Sequence, residues 1–244
     1  MSDLDYSNYS GWKGWRPDNF GQFSPEDAQY FDLEIKSLLP RQQTLVGRRL
    51  VEIGFGAGKF SAWAVSKEID YSGVEIIDSL VEQAVHNGIE AYSIADKSLV
   101  EIYKPSSVDI VVAFDVFEHM ELNMLKITLS QCREILRPGG LLFCRVPSGD
   151  SPFARAIQYG DMTHRTIIGS SAVRQLAAES GFEVIAIREP SFPVIGLGLK
   201  KAIRRSVVLA FRSCINRFIS IVMMGNSKVV LTPNLCFVLK RTGS

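Results

Sequence analysis

The sequence predicts an α/β fold, a seven-stranded and mostly parallel sheet with helices on both faces and an antiparallel last strand. Three observations carry that reading. Short β-branched runs alternate with helix-like stretches between residues 50 and 189, the order expected of parallel strands joined by crossover helices. The first run leads directly into three glycines at alternate positions, Gly54, Gly56 and Gly58, as a strand does when it turns beneath a ligand. A final apolar run at residues 235–239 follows a long break in the alternation and supplies one more strand to close the sheet.

The elements follow in order. Candidate strands occupy residues 50–54, 71–75, 91–94, 108–114, 141–146, 183–188 and 235–239. Segments between them have helical spacing, and the one at residues 170–180 stops at Gly181, a good helix terminator. Four regions result: an aromatic-rich leader and helix over residues 1–49, the core over 50–189, a basic amphipathic helical insertion over 190–226, and the final strand within 227–244. With 244 residues, 46% of them hydrophobic and 22% charged, the chain suits one large soluble domain.

Charge and cysteine usage exclude several classes. A formal net charge of +1 exerts no general pull on nucleic acid, and none is expected as a partner. Cys132, Cys144, Cys214 and Cys236 form no CxxC pair, which argues against a zinc or disulfide framework and suits a reducing compartment. The start, Met1-Ser2-Asp3-Leu4-Asp5, is polar and acidic, unlike a secretion signal. No unbroken apolar run nears the roughly 18–20 residues that span a bilayer. A cytoplasmic location is the expectation, with a peripheral place at the inner face of the membrane open.

The sharpest motif is Glu52-Ile53-Gly54-Phe55-Gly56-Ala57-Gly58-Lys59. Glycines permit a tight turn and close approach of a ligand to the backbone. The helix that follows aims free N–H groups and its positive dipole end at that ligand. A dinucleotide fingerprint needs a glycine where Lys59 stands, so a nicotinamide oxidoreductase is disfavoured. Glu52 suits the cationic end of a ligand better than a pyrophosphate.

E-x-G-x-G-x-G resembles the first motif of the class I S-adenosylmethionine-dependent methyltransferases, whose sheet is Rossmann-like. Further features stand at family spacing. The resemblance implies that Glu75, at the end of the second strand, takes both ribose hydroxyls of S-adenosylmethionine, and that Asp96 contacts the adenine; Asp96 as a helix cap is the plainer alternative. It places Phe114 and Asp115 where the fourth strand opens onto the methyl donor. Arg137-Pro138-Gly139-Gly140 looks like the family's turn into strand five. The likeness spans residues 50–188 and, weakly, the last strand.

For the acceptor, oxygen is favoured. No D/N-P-P-Y/F motif for base amino groups and no Pro-Cys nucleophile follow strand four; Phe114-Asp115-Val116-Phe117 stands there instead. A hydroxyl is a poor nucleophile that gains from a base. The segment Gly160-Asp161-Met162-Thr163-His164 resembles methyltransferases of bacterial surface-polysaccharide pathways, which implies a sugar hydroxyl on a glycan or its lipid-linked precursor. His164 is the candidate base, Asp161 its orienting carboxylate and His119 the next candidate; a hydrogen-bonded loop histidine is the plainer reading of His164. His86 is given no role. Glu118-His119 resembles a pair in quinone-forming methyltransferases that can hold a divalent ion, which keeps a quinone-like acceptor open. Packing or capping accounts for that pair equally, and no metal ligand is assigned. A non-catalytic cofactor-binding scaffold at the membrane is the alternative from another class.

Residues 197–222 carry Lys200, Lys201, Arg204, Arg205, Arg212 and Arg217 among apolar residues at helical spacing, and residues 190–226 contain no acid. The arginines oppose a simple membrane span. The helix is either a lid over the acceptor or an element lying on an anionic membrane.

Overall fold

The structure is a computed structural model and describes residues 9–39, 44–194, 196, 198–225 and 229–243. The acidic start Met1–Asp5 and the limits Leu197 and Asn226 of the basic segment lie outside the described residues. Helix α1 (Tyr9–Trp12), a 3₁₀ turn (Pro17–Asn19) and helix α2 (Pro25–Lys36) precede the sheet. Strands β1 (Arg49–Ile53), β2 (Asp70–Glu75), β3 (Ala91–Ser93), β4 (Val108–Phe114) and β5 (Leu136–Pro147) then alternate with helices α3 (Lys59–Ser66), α4 (Asp78–His86), α5 (Leu99–Ile102) and α6 (Leu122–Ile135). The chain continues through α7 (Arg155–Gln158), α8 (Ser170–Glu179), β6 (Phe182–Arg188), α9 (Leu199–Met223) and β7 (Asn234–Arg241).

The strands make one seven-stranded sheet in the order β3-β2-β1-β4-β5-β7-β6. β7 runs antiparallel to both β5 and β6, as predicted for the last strand. The order reverses between β1 and β4, and a crevice opens beyond their carboxyl ends, the usual ligand position in such sheets.

Alternation along the central strands divides the core. Val51, Ile53, Val111 and Ala113 face one side with Leu125, Leu129, Cys132 and Ile135 of α6. Leu50, Ile110 and Val112 face the other with Phe31, Phe60, Trp63 and Leu80. Because both faces are covered, these strands read as continuous β-branched runs. Each fully buried large apolar side chain contributes about 1.5–3 kcal/mol.

Local signals set the helix starts. Ser24 Oγ accepts the Asp27 N–H at 3.1 Å, and the Asp27 carboxylate accepts the Ser24 N–H at 2.9 Å; with Pro25 at the first helical position, this capping box starts α2. At strand five the structure corrects the sequence. Arg137–Gly140 was expected to precede the strand, yet β5 begins at Leu136, which pairs with Val108; pairing resumes at Ile110 with Leu141. The extra residues form a bulge, which Gly140 permits: a Cβ there would stand 2.8 Å from the Arg137 carbonyl oxygen.

Helix α2 is tied to the sheet by charge. Glu34 is fully buried and accepts from Arg188 of β6 at 2.5 Å and from the Ser191 N–H at 2.6 Å. Arg188→Met leaves that carboxylate without its cation, and urea unfolding is expected to show a loss of about 3–5 kcal/mol. A loss under 1 kcal/mol would show that Glu34 is satisfied without Arg188.

Candidate active site

The glycine turn lies at the carboxyl end of β1. Gly54 has φ +69° and Gly56 φ +50°, a region costly for other residues. A Cβ would also meet Val116 at 2.6 Å from Gly54 and the Trp15 ring at 2.8 Å from Gly56. Gly58, left-handed too, is the N-cap of α3 and leaves the helix without a side-chain cap. Its first N–H groups and dipole are therefore available to a ligand. The leader folds over this turn, with Trp15 against Gly56 and Phe20 against Gly58.

Glu75, at the end of β2, is 5% exposed. Its carboxylate accepts the Gly56 N–H at 3.0 Å, the Ile76 N–H at 2.8 Å and the Ile77 N–H at 3.3 Å. Burial raises its pKa, and these three donors oppose the rise. Glu52 lies deeper: its carboxylate accepts from Tyr71 at 2.6 Å and Ser61 at 3.0 Å, and the residue is 2% exposed. The structure thus puts it beneath the turn as a support, where the sequence suggested a place beside the cationic end of the ligand. Burial pushes its pKa up to about 7.

Beyond β4 the predicted residues separate. Phe114 turns into the aromatic core, with ring centroids 5.1 Å from Phe60, 5.3 Å from Phe143 and 5.8 Å from Phe31. Asp115 has φ +56° and a two-point pairing with Arg145, which holds this sparsely populated conformation. Asp96 is exposed in a bend. It does not cap α5; Ser98 does, with Glu101 accepting the Ser98 N–H at 2.7 Å.

A cavity of about 320 Å³ opens beside Asp115. Glu118 borders it from the 3₁₀ turn Phe117–His119 after β4, Pro147 from the end of β5, Asp161 and His164 from the loop after α7, and Trp12 and Lys13 from the leader. His119 lines it as well, and His119 and His164 stand with ring centroids 4.6 Å apart. His164 Nδ1 lies 3.0 Å from the Gln158 carbonyl oxygen and must donate to it. Thr163 Oγ1 donates to Asp161 at 2.5 Å, so the same oxygen accepts from His119 Nδ1, 2.8 Å away. Each neutral imidazole therefore keeps its lone pair on Nε2. Burial, reinforced by His164, lowers the His119 pKa to about 4.

Asp161 does not orient His164 directly, contrary to the sequence reading: the His164 Nε2 to Asp161 separation is 3.8 Å. Its oxygens are already engaged by Thr163, by Lys13 at 3.0 Å and by Tyr9 at 3.3 Å. Against the cost of burial, Thr163 and Lys13 hold the Asp161 carboxyl well below the usual range. Asp161 acts on His119 instead, through Thr163. His86, at the exposed end of α4, is not among the cavity residues. Sequence reasoning missed Trp12, Lys13, Trp15, Thr163 and Asn234 as site components. The aromatic density of the leader was the one available signal.

A glycine turn, a helix N-terminus and a buried carboxylate at the switch point define a nucleotide-type cofactor site, with a polar cavity beside Asp115. Residues 26–187 match the family described as methyltransferase domain, and the chain belongs to that family. It is an S-adenosylmethionine-dependent methyltransferase. The fold is similar to that of a SAM-dependent methyltransferase from Archaeoglobus fulgidus, at 18% identity and TM-score 0.58, covering 86% of this chain and 94% of that one. It is also similar to an S-adenosylmethionine-dependent methyltransferase from Mesorhizobium loti, at 14% identity and TM-score 0.57, covering 85% and 95%. Phosphoethanolamine N-methyltransferase 2 of Haemonchus contortus, in complex with S-adenosyl-L-methionine, matches at 15% identity and TM-score 0.62, with all of this chain covering 60% of that one. No curated protein matches in sequence.

The residues present fit S-adenosylmethionine: a carboxylate for two vicinal hydroxyls, a glycine turn and N–H donors from α3. When bound, the cofactor supplies an electrophilic methyl group on a sulfonium. Glu75→Ala is expected to weaken S-adenosylhomocysteine binding by about 10- to 150-fold, the equivalent of roughly 1.5–3 kcal/mol for a charge-assisted hydrogen bond. Calorimetry giving unchanged affinity in a folded variant would remove Glu75 from the site.

Glu52 makes a pH prediction. Its folded pKa of about 7 lies above the ordinary 4.5, so the folded state holds the proton more tightly. Stability from this group is present below pH 4.5 and is lost as pH rises toward 7. Relative to wild type, Glu52→Gln should therefore gain about 3 kcal/mol between pH 4.5 and 8. Parallel urea curves at both pH values would contradict it.

Proposed function

We propose that this methyltransferase transfers the methyl group to a sugar hydroxyl of a glycan or its lipid-linked precursor, at the inner face of an anionic membrane. The observation that carries this reading is the polar cavity beside Asp115, where the His119 and His164 rings stand 4.6 Å apart, each with its lone pair on Nε2. Asn234 can bind a hydroxyl there, and the exposed Trp12 ring offers an aromatic surface to a sugar. The two histidines promote loss of the hydroxyl proton, which passes to solvent, as the oxygen forms the bond to the methyl carbon and the S–CH₃ electron pair stays on sulfur. Exclusion of water and alignment supply much of the rest.

Helix α9 supports the membrane part. It is 25 residues long, roughly 37 Å at 1.5 Å per residue, and none of its residues is buried. Leu199, Ile203, Val207, Phe211, Ile215 and Phe218 follow one another along one side and are all exposed, more apolar surface than a soluble monomer usually shows to water. By length and composition the helix is able to cross a membrane. Arg205 and Arg212 bind it back to the globule instead, through Glu26 and the Pro193 carbonyl and through Glu189. It contributes no residue to the cavity, which favours an interfacial role over a lid. Lys200, Lys201 and Arg204 remain exposed and add about 1 kcal/mol each near an anionic surface.

Turnover on a lipid-linked glycan in anionic vesicles tests the proposal. His164→Ala is expected to lower it about 10²–10⁴-fold while S-adenosylhomocysteine affinity stays near wild type. Changing Lys200, Lys201 and Arg204 to glutamate should abolish vesicle sedimentation and leave cofactor binding intact. Faster turnover on a quinol than on any glycan, or sedimentation indifferent to the three charges, would overturn the corresponding part.

A further inference from the structure

Glu118 is the one carboxylate bordering the cavity without a counter-ion among the described residues. Asp115 is paired with Arg145, and Asp161 with Lys13. Glu118 is 1% exposed, and neither of its oxygens has a hydrogen-bond partner. A buried ionised carboxylate without hydrogen bonds or a cation is costly. One Glu118 oxygen and one ring nitrogen from each of His119 and His164 lie within 4.8 Å of one another.

The hydrogen bonds around these rings give the cluster its chemistry. Gln158 takes the Nδ1 proton of His164, and Thr163, itself fixed by Asp161, takes that of His119. Both Nε2 lone pairs are thus directed away from the ring supports. A carbonyl accepting from one histidine and a carboxylate-backed hydroxyl accepting from the other is the arrangement that orients imidazoles toward a metal ion. Two imidazoles and one carboxylate suit borderline first-row ions and leave coordination positions open. Calcium and magnesium prefer all-oxygen sites.

We propose that Glu118, His119 and His164 bind one first-row divalent cation of the zinc or cobalt type at the acceptor end of the cavity. The ion supplies the missing counter-charge for Glu118, and its binding draws the three side chains together to bonding distance. The cation site stands on these residues alone; its role toward the acceptor rests on the oxygen-methylation reading. In that role, an acceptor hydroxyl in an open coordination position is acidified as metal-bound water is, and its proton passes to solvent. The histidines then serve as ligands rather than as direct proton acceptors.

Titration of the chelator-treated full chain with Co²⁺, followed by visible absorption, tests the site. One equivalent should bind with the spectrum of a nitrogen- and oxygen-ligated ion, and Zn²⁺ should displace it. Glu118→Gln and His164→Ala should each weaken binding at least 10-fold, and Thr163→Val, which touches no ligand atom of the ion, by about 10-fold. His86→Ala should change nothing. Thermal melting checks that each variant folds, and His119→Gln replaces any that does not. No Co²⁺ spectrum, or one indifferent to Glu118→Gln and His164→Ala, overturns the proposal. Normal S-adenosylhomocysteine binding in that case leaves the methyltransferase assignment standing. A Co²⁺ site that behaves as expected in a protein that methylates no hydroxyl supports the cation and sinks the acceptor reading.

Discussion

The site depends on one buried carboxylate. Glu75 gathers N–H groups from Gly56 on the turn after β1 and from Ile76 and Ile77 at the end of β2, and so fixes two strand ends to each other. Charge-assisted bonds of this kind are about twice as strong as neutral ones. Once the turn is fixed, Val116 can seat on Gly54 and Trp15 on Gly56. Those contacts position the chain after β4 and the leader, and between them lies the acceptor cavity. The second buried acid, Glu52, works from below, tying α3 and β2 to β1 through Ser61 and Tyr71. The glycine turn is thus held from both sides by buried carboxylates at the switch point of the sheet.

The acceptor side is organised differently, by ion pairs that consume most of the local charge. Asp115 and Asp161 each have a cation, and the chain of contacts from Asp161 through Thr163 sets the ring of His119. What remains without a hydrogen bond or counter-ion among the described residues is Glu118, beside two imidazoles whose lone pairs sit on Nε2. The chemistry of the cavity follows from that remainder more than from any one histidine.

Much of this was legible in the sequence, for local reasons. Strands covered on both faces are mostly apolar, and β1 and β4 fall where the β-branched runs lie. The glycine turn is readable because its constraint is local: φ and the missing Cβ belong to single residues. The bulge in β5 was not readable, since it depends on how Leu136 and Leu141 pair with β4. The wiring of the histidines was also hidden. His119 and Thr163 are 44 residues apart, and no periodicity reports which ring nitrogen a distant hydroxyl will fix. Glu52 and Phe114 were assigned to the ligand by motif, whereas strand alternation sets Glu52 against Tyr71 and Ser61 and Phe114 among core rings. The exposure of α9 was half visible: its apolar and basic residues could be counted, but which side faces the globule is decided by Arg205 and Arg212.

The central claim is that the glycine turn and Glu75 are built for S-adenosylmethionine and not for a dinucleotide. Isothermal titration of the wild-type chain with S-adenosylhomocysteine and, separately, with NAD tests it most directly. One-to-one binding of S-adenosylhomocysteine with no heat from NAD is the predicted result. Binding of NAD at comparable affinity, or none of S-adenosylhomocysteine by a folded protein, would contradict it.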